Sequence, residues 1–298
     1  MQNSKLINLL RTFSTEEMRE FRKYAASPYF NKGRDLTSLL KILFKYSPGF
    51  DSPLLTKINI FAELYPGKQY KDNVLKTMLS CLNSLAEGFL AQKMFDSNKF
   101  EVQLAKLNAY HNRDLEKLFI KDIKKTFSNF DKLEIADPID AEKSRYELAT
   151  IETTFYNGRR NLNIKHKKYD VASSASNLFL MEYFVSYADE SAKAHFINQP
   201  MPELFELIHN SINFERIIGA LNSENELSRL KLKFYYALYR ARRLTNIECY
   251  FEAKKIFYKN SGLFPLTARQ SFIFLLINCI SYLMRFLPAN ELVKENYS

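Results

Sequence analysis

Glycine is scarce in this chain. Seven occur in 298 residues, where an average composition gives about 7%, and the nearest pair, Gly33 and Gly49, is 16 residues apart. A loop that wraps phosphate needs two or three glycines within a few positions, so that the backbone can approach the anion. Nucleotide-binding loops of the dinucleotide-fold and P-loop kinds are therefore excluded. Cysteine is nearly as rare. Cys81, Cys249 and Cys279 match no zinc-ligand spacing, and an odd, sparse set of thiols is expected to stay reduced in the cytoplasm. The four histidines, His111, His166, His195 and His209, never form the pattern that puts two imidazoles on one helical face for zinc. They are expected to be isolated surface or boundary residues. No serine is flanked by glycines as in a nucleophile elbow. The adjacent carboxylates Glu16-Glu17 and Asp189-Glu190 diverge on a helix. No catalytic, cofactor-binding or metal-ligating residue is assigned, no cofactor is expected, and a non-enzymatic protein is. The N-terminus lacks an apolar run followed by a small-residue cleavage site. The most apolar stretch, Phe272 to Leu283, is 12 residues long, short of the about 20 that span a bilayer. It reads as a buried core helix, without membrane insertion.

What is abundant points to helices. Apolar residues make up 46% and charged residues 26%, enough for a core and too apolar for wholesale disorder. A capping box sets Ser or Thr at a helix start and Glu or Gln three positions on, so that each side chain satisfies an orphan backbone donor. Ser14/Glu17, Ser223/Glu226, Thr245/Glu248 and Thr267/Gln270 have that spacing. Val74, Leu75, Met78, Leu82, Leu85 and Phe89 fall on one stripe at helical period, as do Leu36, Leu39, Leu40 and Leu43. Breaks are expected at Ser27-Pro28, Ser47-Pro48-Gly49, Pro66-Gly67, Asp137-Pro138, Pro200-Met201-Pro202, Gly262 with Pro265, and Pro288. No sustained period-2 run is bounded by a hairpin turn.

The expected fold is all-α, with about ten to twelve helices by these signals. Helices with one apolar stripe bury it against neighbours, and short turns favour antiparallel hairpins. The architecture expected is stacked helical hairpins, tetratricopeptide-like or an irregular α-solenoid. Three stretches are distinguished: an N-terminal helical module over 1–96, connecting helices over 97–137, and a helical-repeat-like region over 138–298. The last boundary follows the acidic window Asp131, Glu134, Asp137, Asp140 and Glu142. Ala241, Ala253, Phe257 and Pro265 weakly resemble the small, small, aromatic, proline spacing of one tetratricopeptide hairpin. Ala237 and Arg240 stand where that pattern has a large aromatic and a leucine. It does not recur 34 residues away.

Residues 5–95 carry Phe13-Ser14-Thr15-Glu16-Glu17, Glu20-Phe21, Ser27-Pro28-Tyr29-Phe30-Asn31-Lys32, Phe50-Asp51-Ser52, Leu55-Thr56-Lys57 and Tyr65-Pro66-Gly67-Lys68. This series resembles the start of an uncharacterised family of bacterial helical proteins. The resemblance implies a bacterial, cytoplasmic protein and transfers no functional residue.

Net charge is +10, but it is spread along the chain, and a composition rich in Lys, Asn, Ile, Phe and Tyr is what AT-rich coding would give. One local concentration stands out. Between residues 229 and 247 there are six basic residues and no acidic one. Arg229, Lys233, Tyr236, Arg240 and Arg243 recur at helical spacing and form a candidate partner- or anion-binding face, with Leu230, Phe234, Ala237, Ala241 and Leu244 on a separate apolar face. A second basic window holds Arg159, Arg160, Lys165, Lys167 and Lys168. The plainer expectation for both is a solvated face, or one paired with acidic neighbours. Four phosphate contacts would lose about a hundredfold in affinity between 50 and 200 mM salt, so nucleic acid is expected to bind weakly. The aromatic loop at Tyr29-Phe30 reads as a staple packed on adjoining helices rather than a partner-binding knob. Together these features point to a protein–protein interaction scaffold or adaptor that takes a protein or peptide partner, with a nucleic-acid-associated protein as the alternative. They leave the oligomeric state open.

Overall fold

The computed structural model describes residues 1–33, 35–130, 135, 137–157, 159, 170–220 and 226–288. Among them every regular element is helical: fourteen α-helices and one 3-10 turn, with no strand. The chain is all-α. It divides into two compact units, residues 1–102 and 103–298.

The first unit holds α1 (Lys5–Arg11), α2 (Thr15–Ala26), α3 (Thr37–Phe44), α4 (Lys57–Leu64) and α5 (Asp72–Ser97). The capping box at α2 forms: Glu17 N–H donates to Ser14 Oγ at 3.1 Å, and Ser14 N–H donates to Glu17 Oε2 at 2.8 Å. Leu75, Met78, Leu82 and Phe89 of α5 are buried, and the flanking Val74 and Leu85 are half-buried. Leu36, Leu39, Leu40 and Leu43 are buried as well. Phe13, Phe21 and Phe89 meet with ring centroids 5.5–5.6 Å apart. α2 and α5 approach closely at Gly88, where a Cβ would stand 3.0 Å from Tyr24 Oη. The aromatic loop departs in part from a staple. Phe30 stacks on Tyr24 at 4.0 Å, but Tyr29 is 77% exposed.

The division between the units falls within α6 (Lys99–Asn112). The second unit continues with α7 (Glu116–Phe130), α8 (Pro138–Asn157), α9 (Val171–Phe196), α10 (Glu203–Ser211), α11 (Phe214–Ala220), α12 (Glu226–Arg243), α13 (Ile247–Asn260), a 3-10 turn (Ser261–Leu263) and α14 (Leu266–Leu283). α12 is central, packing on α9, α13 and α14, while α8 packs on α9. The helices outnumber the sequence expectation partly because α10 and α11 are separated by Ile212 and Asn213 alone, with no proline or glycine to mark the break. Pro138 opens α8, where a missing N–H costs nothing; Asp137 Oδ1 accepts from the N–H groups of Ile139 and Asp140 at 2.7 and 3.3 Å. Asp131 and Glu134 of the acidic window lie outside the described residues.

Two expected capping boxes do not form, and Ser223 of the Ser223/Glu226 box lies outside the described residues. α14 starts on Pro265 with no side-chain cap, and Thr267 Oγ1 is buried without a hydrogen bond. At α13 the cap is Asn246, whose Oδ1 accepts from Glu248 N–H at 2.8 Å and Cys249 N–H at 3.4 Å. Thr245 is used otherwise. It takes φ 47°, and the N–H groups of Thr245 and Asn246 close back on the carbonyls of Arg242 and Ala241 at 3.4 and 3.0 Å. This is the left-handed closing turn that usually employs glycine, and a β-branched residue there is strained.

Ala241 and Ala253 are fully buried and Phe257 nearly so. Phe257 packs against Phe272, with centroids 5.7 Å apart, and Phe234 against Phe272 at 4.7 Å. α14 differs from the buried core helix expected. Phe272, Leu276, Cys279, Tyr282 and Leu283 face inward, while Phe274 is 62% and Ile277 is 54% exposed. By length and composition it is the one described helix apolar enough to cross a membrane.

Candidate functional site

The central position of α12 decides what its basic residues can do. Half of its 18 residues are buried, the polar Ser228 and Lys231 among them. Phe234, Ala237 and Ala241 are buried as expected, and Leu230 is half-buried. Leu244 is 61% exposed, because α12 ends at Arg243 and the strained turn carries Leu244 outward.

The six basic side chains consequently occupy different environments. Arg229 is half-buried, Lys231 buried and Lys233 exposed. Arg242 turns inward, donating from Nη1 to the Ala188 carbonyl at 2.8 Å and lying over the Tyr282 ring at 5.0 Å. Arg240 and Arg243 remain, and with Tyr236 they line an open cleft of about 480 Å³. Its opposite wall is the α10–α11 corner, from His209 to Glu215, with Tyr239 and Leu244 completing the lining. Three of the five residues singled out from the sequence thus share one cavity. Arg229 and Lys233 lie outside it.

Both guanidinium groups are held. Arg240 donates from Nη2 to Cys249 Sγ at 3.2 Å, pairs with Glu252 Oε2 at 3.5 Å and lies over the Tyr236 ring at 5.5 Å. Arg243 donates from Nε to His209 Nε2 at 3.1 Å and also bonds the Tyr187 hydroxyl. An arginine Nε–H can only donate, so His209 Nε2 accepts and the imidazole proton sits on Nδ1, directed at the Tyr239 hydroxyl. The Tyr239 ring is wedged among Tyr187, Phe184 and Phe214. An aromatic core therefore fixes His209, which in turn fixes Arg243.

Electrostatics agree with this geometry. Burial holds the His209 pKa below the ordinary 6.5, the Arg243 charge adds to the effect, and Glu206 opposes it. Burial also pushes the Tyr183 hydroxyl up to about 12 and raises those of Tyr187 and Tyr239. The folded His209 value lies below the unfolded one. The neutral imidazole therefore stabilises the fold above about pH 6.5, and that contribution is lost as pH falls through the folded value. Histidine side-chain NMR is expected to show His209 titrating below 6.5, and moving toward 6.5 in Arg243→Ala.

No known protein family, curated protein or solved structure matches this chain. Both His209 nitrogens are engaged, and the tyrosine hydroxyls are harder to ionise than free phenol. Among the described residues no three His, Cys, Asp or Glu side chains gather to hold a metal.

Local sequence patterns missed two features. His209 is 30 residues from Tyr239 and 34 from Arg243, so nothing nearby in sequence marks it. A buried polar network also links α8, α9 and α12. Arg145 Nη1 donates to Glu142 Oε2 at 2.9 Å and to Ser228 Oγ at 2.6 Å, Ser228 Oγ donates to Glu142 Oε2 at 3.2 Å, and Asn177 reaches Glu142 Oε1 at 3.5 Å. Of the second basic window, Arg159 pairs with Asp114 at 2.6 Å and lies 4.1 Å over Phe155; Arg160, Lys165, Lys167 and Lys168 lie outside the described residues. A smaller cleft of about 260 Å³ between α6 and α8 carries no cationic lysine or arginine in its lining.

Proposed function

We propose that this chain is a non-enzymatic interaction scaffold or adaptor, an array of helical hairpins that takes a peptide segment of a partner protein in the cleft between the α10–α11 corner and α12. The observation that carries this reading is the pair of pre-positioned guanidinium groups beside exposed Leu244 and half-buried Tyr236, in a volume typical of ligand sites, about 300–1,000 Å³. Arginine and aromatic side chains dominate binding energy at protein interfaces, and groups held before binding lose less entropy when a partner arrives.

The nucleic-acid alternative is weaker. Glu252 pairs with Arg240, and Glu206 and Glu215 act on Arg243 and Tyr236. These carboxylates lower the potential along the stripe that a phosphate backbone would follow, and two guanidinium groups give little counterion release.

A random-peptide library displayed on phage and selected against the purified chain tests the reading. We expect enrichment of peptides whose binding is weakened at least tenfold by Arg243→Ala. Absence of enrichment, or enriched binding indifferent to that change, would overturn it.

A further inference from the structure

We infer that the α10–α12 cleft is a carboxylate-recognition site, accepting an aspartate or glutamate side chain of a partner segment on Arg243 and Arg240, with an apolar neighbour of that residue against Leu244 and Tyr236. This rests on the peptide-binding reading above and adds the chemistry of the peptide.

Geometry and charge select this ligand. The guanidinium is a planar fork that matches a carboxylate through two parallel N–H donors. Arg243 is anchored through Nε on His209 and bonds the Tyr187 hydroxyl, and the residue as a whole is exposed. Arg240 is anchored on Cys249 and Glu252. The orientation of both forks is set before a ligand arrives. The surroundings limit how much negative charge can enter. Glu215 lines the cleft, and Glu206 and Glu252 act on its arginines. A single carboxylate adds one negative charge beside these acids, whereas a polyanion would bring several. The exposed Leu244 side chain, carried outward by the left-handed turn at Thr245, gives the cleft an apolar edge that a free inorganic anion would not use. The ligand that satisfies all of these surfaces is an acidic residue embedded among apolar ones.

The test uses the full chain and two labelled synthetic peptides, Gly-Ser-Leu-Glu-Leu-Glu-Leu-Ser-Gly and its twin with both glutamates replaced by glutamine. Fluorescence anisotropy is read up to millimolar protein at 150 mM salt. The glutamate peptide is expected to bind at least tenfold more tightly. Arg243→Ala should remove most of that preference. Arg243→Lys, which keeps the charge and loses the fork, should cost severalfold. Lys259→Ala, on α13 outside the cleft lining, should change affinity less than twofold, and circular dichroism should show all three variants folded. Equal affinity for the two peptides, no binding of either, or an equal loss in Lys259→Ala would overturn the inference. So would tighter binding of a ten-nucleotide oligothymidine than of the glutamate peptide at the same salt. Phage enrichment of peptides without acidic residues would leave the peptide-binding reading standing and remove this one.

Discussion

Arg145→Met is expected to destabilise the second unit by about 3–5 kcal/mol, the usual consequence of removing one partner from a buried ion pair. Glu142 is 0% and Arg145 is 4% exposed, and Ser228, which bridges them, is 1% exposed. Loss of the guanidinium leaves the Glu142 carboxylate in a solvent-free position, where desolvation is no longer offset by a counter-ion. It also empties the space in which the Arg145 guanidinium lies 5.4 Å over the Phe130 ring. The paired replacement of Glu142→Leu with Arg145→Met removes both charges, and is expected to recover most of the loss because apolar substitutes for a buried pair are often neutral. Guanidinium chloride titration of the three proteins, followed by circular dichroism, measures both differences. A single variant within about 0.5 kcal/mol of the parent, the range usual for surface substitutions, would show that the pair does not hold α8 to α12.

Phe21→Ala is expected to cost the first unit about 3–5 kcal/mol, from lost transfer energy plus the cavity left behind. Phe21 is fully buried, with Phe13 edge-on at 5.6 Å and Phe89 tilted at 5.5 Å. These neighbours come from the α1–α2 turn and from α5, so the cavity would open where these elements meet. Tyr29→Ala is the informative comparison. Its ring touches Phe30 at 5.0 Å but is mostly in solvent, so its removal should change stability by less than about 0.5 kcal/mol. Urea titration separates the two roles of this aromatic-rich region: Phe21 as core, Tyr29 as surface.

Class and rhythm were legible because helical period and breaks are local properties. The stripe of α5, the start of α2 at Ser14 and the start of α8 after Asp137 all follow from residues within a turn of each other. The failures share a cause. Thr245 has the right spacing to cap α13, yet the preceding helix needs a left-handed residue at that position, and Asn246 is left to do the capping. Lys231 reads as part of a solvated cationic run and is buried, because its α12 position is surrounded by other helices. The outer side of α14 reads as core by composition alone, and only the packing of α12 and α13 along one side leaves Phe274 and Ile277 exposed.

For the candidate site, periodicity placed Tyr236, Arg240 and Arg243 on one face, and they do line one cleft. It also placed Arg229 and Lys233 there. They share the helix face but not the cavity, because the α10–α11 corner stands opposite only the C-terminal half of α12. His209 orients Arg243, as Cys249 and Glu252 orient Arg240, and no motif surrounds it in the sequence. A lone histidine is uninformative in sequence; its meaning depends on the tyrosine and arginine that folding brings to its two nitrogens.

The most direct measurement is nitrogen-15 NMR of the arginine Nε–H groups during titration with the glutamate peptide. We expect a slowly exchanging Arg243 Nε–H before any peptide is added, and shifts concentrated at Arg240 and Arg243 that saturate together while Arg229 stays unmoved. Rapid exchange at Arg243 from the start, or shifts spread evenly over every exposed arginine, would contradict this expectation.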